Sequence, residues 1–89
     1  MIRYRIYTEH KNYEELVRLT QAQLTSATIF PALTGIWEGT AESALVIEYI
    51  GGATEKDVKQ VYGLARAIKE VNGQEAVLVT KELVETRII

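Results

Sequence analysis

Apolar and polar residues alternate from Ile2 to Thr8, with Ile2, Tyr4 and Ile6 on one side and Arg3, Arg5 and Tyr7 on the other. A period of two is the signature of a half-buried strand. The period then changes, because Tyr13, Leu16, Val17, Thr20 and Leu24 recur at helical spacing. Asn12, with Glu15 three residues on, reads as the capping pair that opens this helix, which is predicted to run from Tyr13 to Leu24. From Ala27 to Trp37 the composition is β-rich again. Pro31, the sole proline, has no N–H to give to a ladder, so this segment belongs at a sheet edge or at a bulge. Glu38-Gly39-Thr40-Ala41-Glu42 reads as a turn, and Ser43 to Ile50 as the second arm of a hairpin.

Gly51-Gly52 ends that strand. Thr54 with Asp57 three residues on forms a second capping pair, and Val58, Val61, Tyr62, Ala65 and Ile68 define the apolar stripe of a second helix. Asn72-Gly73 stops it, since glycine takes the left-handed position without a Cβ penalty. Gln74 to Thr80 is predicted as the last full strand. The tail from Lys81 to Ile89 is expected to form a helical turn and a short extra C-terminal strand.

Strand, helix, strand, strand, helix, strand is the order of the split β-α-β arrangement. The expected fold is therefore α+β and ferredoxin-like, a four-stranded antiparallel sheet with two helices on one face. With the strands in spatial order four-one-three-two, Ile2, Tyr4 and Ile6 meet Leu45, Ile47 and Tyr49 under the helices. Arg3, Arg5 and Tyr7 then lie beside Ala44, Val46, Glu48 and Ile50 on the open face. So apolar a face is expected to be covered by another copy of the chain.

At 89 residues the chain is read as one domain, small enough to profit from a partner subunit. Hydrophobic and charged fractions of 47% and 25% exclude disorder. No apolar run is long enough to span a bilayer, and the polar start, with Arg3, Arg5, Glu9 and His10, lacks a signal-peptide core, so a cytoplasmic protein without membrane contact is expected. Zero cysteines exclude disulfides, thiolate metal sites and thiol nucleophiles. A formal charge of -2 with dispersed basic residues gives no pull toward nucleic acid. His10 is the only histidine, which leaves neither a metal site nor a Ser-His-Asp set, and no cofactor is expected.

Several residues stand out as a ligand site. Trp37 adjoins the turn, where an indole either stacks a ring ligand or anchors an interface. Glu48 lies inside an apolar strand and needs a partner. Arg3 or Arg5 across the strand pair supplies one, as a structural ion pair or as part of a binding site. Glu42 and Ser43 at the hairpin, and Gln74 and Glu75 before the last strand, either close turns or converge on one polar cleft formed across a subunit boundary. Gly51-Gly52-Ala53-Thr54 precedes a helix N-terminus, but Glu55 and Asp57 already occupy its positive end and no Walker ending follows.

Trp37-x-Gly39-x-x-Glu42-Ser43, followed by the apolar strand to Ile50, resembles the corresponding hairpin of the CutA proteins, trimeric relatives of the PII signalling proteins. A small-domain family of unknown function is similar too, in its tryptophan, its Glu-Ser strand start and its Gln-Glu before the last strand, here Gln74-Glu75. The resemblance covers Gly35 to Thr80 and implies a homotrimer, with a homodimer as runner-up, holding small ligands in clefts between subunits. Two departures narrow it. Val71-Asn72-Gly73-Gln74 stands where CutA proteins have histidine-proline-tyrosine, and the hairpin turn is far shorter than the nucleotide-responsive loop of PII proteins. The leading reading is a non-enzymatic protein that senses or sequesters a small, nucleotide-derived ligand through Trp37, Glu42, Ser43, Gln74 and Glu75, with Arg3, Arg5 and Glu48 as further candidates. One rival is a dimeric α+β barrel-type enzyme with Arg3, Arg5, Tyr7 and Glu48 in a pocket on the open face. The other is a structural or protein-interaction module.

Overall fold

Two interleaved periods build the chain into a sheet with helices on one side. A computed structural model describes residues 1–89. The elements run β1 (Ile2–Glu9), α1 (Tyr13–Gln23), β2 (Thr28–Trp37), β3 (Thr40–Gly51), α2 (Glu55–Asn72) and β4 (Leu78–Leu83). The four strands form one antiparallel sheet in the order β2-β3-β1-β4, which is the expected ferredoxin-like arrangement. Tyr4 faces Tyr49, Ile6 faces Ile47 and Thr8 faces Leu45 across β1 and β3. Tyr4, Ile6, Leu45, Ile47 and Tyr49 pack with Leu16 of α1, with Leu24 at its C-terminal end and with Val61, Leu64, Ala65 and Ile68 of α2. Each such fully buried aliphatic side chain contributes about 1.5–3 kcal/mol, and this cluster is the core.

Local chemistry explains the boundaries. Thr54 accepts a hydrogen bond from the Asp57 N–H at 3.2 Å, and Gly73 ends α2 at a φ of 63°. Pro31 sits in the edge strand β2, where the register shifts between Phe30 and Leu33. Ala32 takes a φ of 57° there. Phe30 pairs with Val46 and Leu33 with Ala44, so the bulge inserts one residue into β2 and keeps Phe30, Leu33, Gly35 and Trp37 on the open face.

Four expectations change. The hairpin turn is only Glu38-Gly39, both with positive φ, and Thr40 to Glu42 already pair with β2. Positive φ at both central residues gives a turn whose twist matches the strands, so pairing continues to the tip. Asn12 is left-handed and makes no side-chain cap. Its amide donates instead to Asn72 Oδ1 at 3.1 Å, joining the two helices. The last strand starts at Leu78 rather than Gln74, because Gln74 is held by Thr8 and Asn72. Finally, Lys81 to Leu83 continue β4, and residues 84–89 form neither a helical turn nor an extra strand.

Candidate functional site

The open face of the sheet is ordered in rows. Phe30, Val46, Tyr7 and Leu78 are cross-strand neighbours, one from each strand. Together they draw an apolar band across the whole sheet, and Leu78 is 59% exposed. In the adjacent row, Thr28, Glu48, Arg5 and Thr80 are neighbours. Arg5 Nε donates to Glu48 Oε2 at 2.9 Å. This contact first, and the neighbouring Tyr7 hydroxyl after it, hold the Arg5 guanidinium pKa above its ordinary value. The third row places Arg3 beside Ile50 and Glu82, and Arg3 pairs with Glu82. Of the two partners open to Glu48, the fold selects Arg5 and gives Arg3 a carboxylate from β4.

Beyond these rows the β2–β3 hairpin leaves the body of the sheet. Glu9 and Ala44 are the last pair between β1 and β3, so Thr34 to Ser43 project past it. Trp37, 55% exposed, and Glu42 lie on the open face, with Gly35 opposite Glu42. A Cβ at Gly35 would meet the Ala44 Cβ at 3.1 Å; its absence leaves a notch between Leu33 and Trp37.

Ser43 points to the helix side. Its hydroxyl lies 3.4 Å from His10 Nδ1, and its carbonyl accepts from the His10 N–H at 3.0 Å. The Tyr13 ring meets the imidazole edge-on at 5.4 Å. Gln74 also turns to the helix side, where its Oε1 accepts from Thr8 and from Asn72 Nδ2, the latter at 3.0 Å. Glu75 is exposed beside it. Within one protomer, then, four of the five residues fall into two groups at the same end of the sheet. Trp37 and Glu42 face one way; Ser43 and Gln74 face the other.

Asn72 and His10 were not singled out for these roles by the sequence pattern. Asn72 is 1% exposed and also donates to Thr8 Oγ1 at 3.3 Å and to the Glu9 carbonyl at 3.4 Å. A signal existed: Asn72 continues the Val61, Ala65, Ile68 stripe, so a polar side chain was being delivered to the core. At the start of α2, Asp57 accepts from Thr54 and, at 2.8 Å, from the Tyr49 hydroxyl. These bonds, Thr54 first, hold its carboxyl below the usual 3.8. The helix N-terminus is thus filled by its own carboxylate.

Two shallow grooves mark the surface. One, of about 320 Å³, runs along the hairpin and includes Leu33, Glu42 and Ser43. Another, of about 240 Å³, lies between α2 and β4 on Tyr62, Ala65, Arg66, Lys69, Val77 and Val79. No group of three or more His, Cys, Asp or Glu side chains could hold a metal ion, and no helix is long and apolar enough to cross a membrane.

No family model matches the chain, and no curated protein matches it either. Solved structures do share its fold. A phage SAM lyase in its apo state superposes with a TM-score of 0.73 at 21% identity, covering 91% of this chain and 78% of the lyase. A phage SAM lyase in complex with S-methyl-5'-thioadenosine gives 0.72 at 18% identity, covering 91% and 79%. CPII, a nitrogen regulatory PII-like protein from Thiomonas intermedia K12 bound to ADP, AMP and bicarbonate, gives 0.63 at 17% identity, covering 98% and 94%. What the chain shares with these structures is the fold, the ferredoxin-like sheet with two helices on one face.

Proposed function

We propose that this protein is a homotrimer that binds an adenosine-bearing small molecule in clefts between its subunits. One observation carries the reading: both kinds of structural neighbour hold an adenosine-bearing ligand, S-methyl-5'-thioadenosine in the one and ADP or AMP in the other. The exposed indole of Trp37 offers a stacking surface for adenine, and Glu42, Ser43, Gln74 and Glu75 supply polar groups at the same end of the sheet. Because Trp37 and Ser43 face opposite sides of the hairpin, one ligand meets residues of both groups only when a second subunit brings its own. The apolar band of Phe30, Val46, Tyr7 and Leu78 is the surface that drives association. Light scattering after gel filtration tests the trimer, and calorimetric titration with AMP, ADP and S-methyl-5'-thioadenosine tests the ligand class. A monomer that takes up none of them would sink the reading.

A second reading is favoured by the higher superposition with the lyase: cleavage of S-adenosylmethionine. Its sulfonium is a cation, which an indole face and a carboxylate both attract, and Trp37 and Glu42 share the open face of the hairpin. The substrate's own carboxylate oxygen bonds to the γ-carbon of the aminobutyrate arm and closes a lactone, while the C–S bond breaks and its electron pair leaves on sulfur as the neutral thioether S-methyl-5'-thioadenosine. Incubation with S-adenosylmethionine and chromatography for that thioether separates a lyase from a binder.

A further inference from the structure

We propose that the tip of the β2–β3 hairpin of one copy seats in the groove between α2 and β4 of a second copy. The proposal rests on the homo-oligomeric reading above and adds which surfaces meet. The groove has a floor of Ala65, Val77 and Val79, with Arg66 and Lys69 on its rim. Both cations are exposed, and neither joins any of the ion pairs of the protomer. The hairpin tip has the opposite character. Ile36 is 75% exposed and Trp37 55%, and the neighbouring Glu38 and Glu42 are exposed and unpaired.

Each surface is what the other lacks. Burying Ile36 on the apolar floor removes the most exposed large hydrophobic side chain of the hairpin from water, while Glu38 and Glu42 come to the two cations and fix the orientation; Trp37, on the opposite face of the strand, stays open to a ligand. Since the hairpin and the groove are different patches of one surface, the contact is heterologous, the kind that closes into a ring when repeated by rotation. A short two-residue turn, Glu38-Gly39, suits insertion because the tip is narrow. Arg66 and Lys69 of one subunit would then border the Trp37 and Glu42 end of the next.

The test uses the full chain in four forms: wild type, R66E/K69E, E38K/E42K, and all four substitutions together. Light scattering over a dilution series gives association. The expected result is a wild-type oligomer, association weakened at least about tenfold in each double variant, and recovery in the fourfold variant. All four side chains are exposed, so circular dichroism is expected to stay unchanged. A wild-type oligomer that R66E/K69E leaves intact, or a fourfold variant that does not recover, overturns the docking alone and leaves the oligomer standing. A wild type that is monomeric at every concentration overturns both.

Discussion

Arg5 and Glu48 are directly opposed on β1 and β3 and joined by a bond of 2.9 Å from Nε to Oε2. The pair sits between Thr28 and Thr80, beside the apolar band of the open face. Cross-strand pairs of opposite charge support a sheet, and removing one member leaves the other without its partner. Glu48→Gln is therefore expected to lower stability more than Glu14→Gln or Glu70→Gln, which change an exposed helical side chain and fall within about 0.5 kcal/mol. Chemical denaturation of the three variants checks it; equal small losses would show that the ion pair contributes nothing to the fold.

Asp57 makes the start of α2 sensitive to acid. Hydrogen bonds from Thr54 and Tyr49 hold its folded pKa below the ordinary 3.8. A depressed carboxyl contributes stability that is fully present above the unfolded value and is lost as the pH falls through the folded one. Asp57→Asn is expected to be less stable than wild type at neutral pH, with the gap closing as the pH drops below the ordinary carboxylate range. Thermal melts of both proteins across that range give the answer, and a gap independent of pH would remove the electrostatic account.

Gly51 and Gly63 are expected to respond in opposite directions to alanine. A Cβ at Gly51 would come within 2.5 Å of the Tyr49 ring, which stacks on Tyr4 with a centroid distance of 6.0 Å. Gly51→Ala should cost about 1–3 kcal/mol through that overlap. At Gly63, inside α2, a Cβ meets nothing within 4 Å, and alanine should stabilise by about 0.5–1 kcal/mol through helix propensity. Denaturation midpoints that move in the same direction for both would contradict this.

Leu78 tests the open face more cleanly than Val46. Both lie in the apolar band, but Val46 is 9% exposed within the protomer and Leu78 59%. Leu78→Asp should leave the folded protomer intact while dissociating the oligomer, because a charge in a desolvated interface is left unpaired. Light scattering with circular dichroism separates the two effects.

The strand order and the two faces of the sheet were legible because alternation in Ile2 to Thr8 and Ser43 to Ile50 admits one register with a dry side. Pro31 likewise announced the bulged edge. What the pattern concealed were partners far along the chain. Asn12 looked like a local cap, yet its amide reaches Asn72, sixty residues on. Gln74 looked like the start of a strand, yet Thr8 and Asn72 hold it out of the ladder. The hairpin pattern predicts a longer turn because the pairing of Thr40 with Trp37 depends on positive φ at Glu38, which a glutamate does not advertise. Face assignment in the site failed to show for the same reason: the one-residue bulge decides on which side Trp37 falls.

On the proposed function, an adenosine-bearing molecule binds beside Trp37 in a cleft that exists only between subunits. A titration of Trp37 fluorescence with S-methyl-5'-thioadenosine, run in parallel on wild type and on Leu78→Asp, tests it most directly, since Trp37 is the only indole. A saturable change is expected in the wild type and none in the dissociated variant. No saturable change in an oligomeric wild type, with AMP and S-adenosylmethionine equally silent, would contradict it, and so would full binding by a Leu78→Asp monomer.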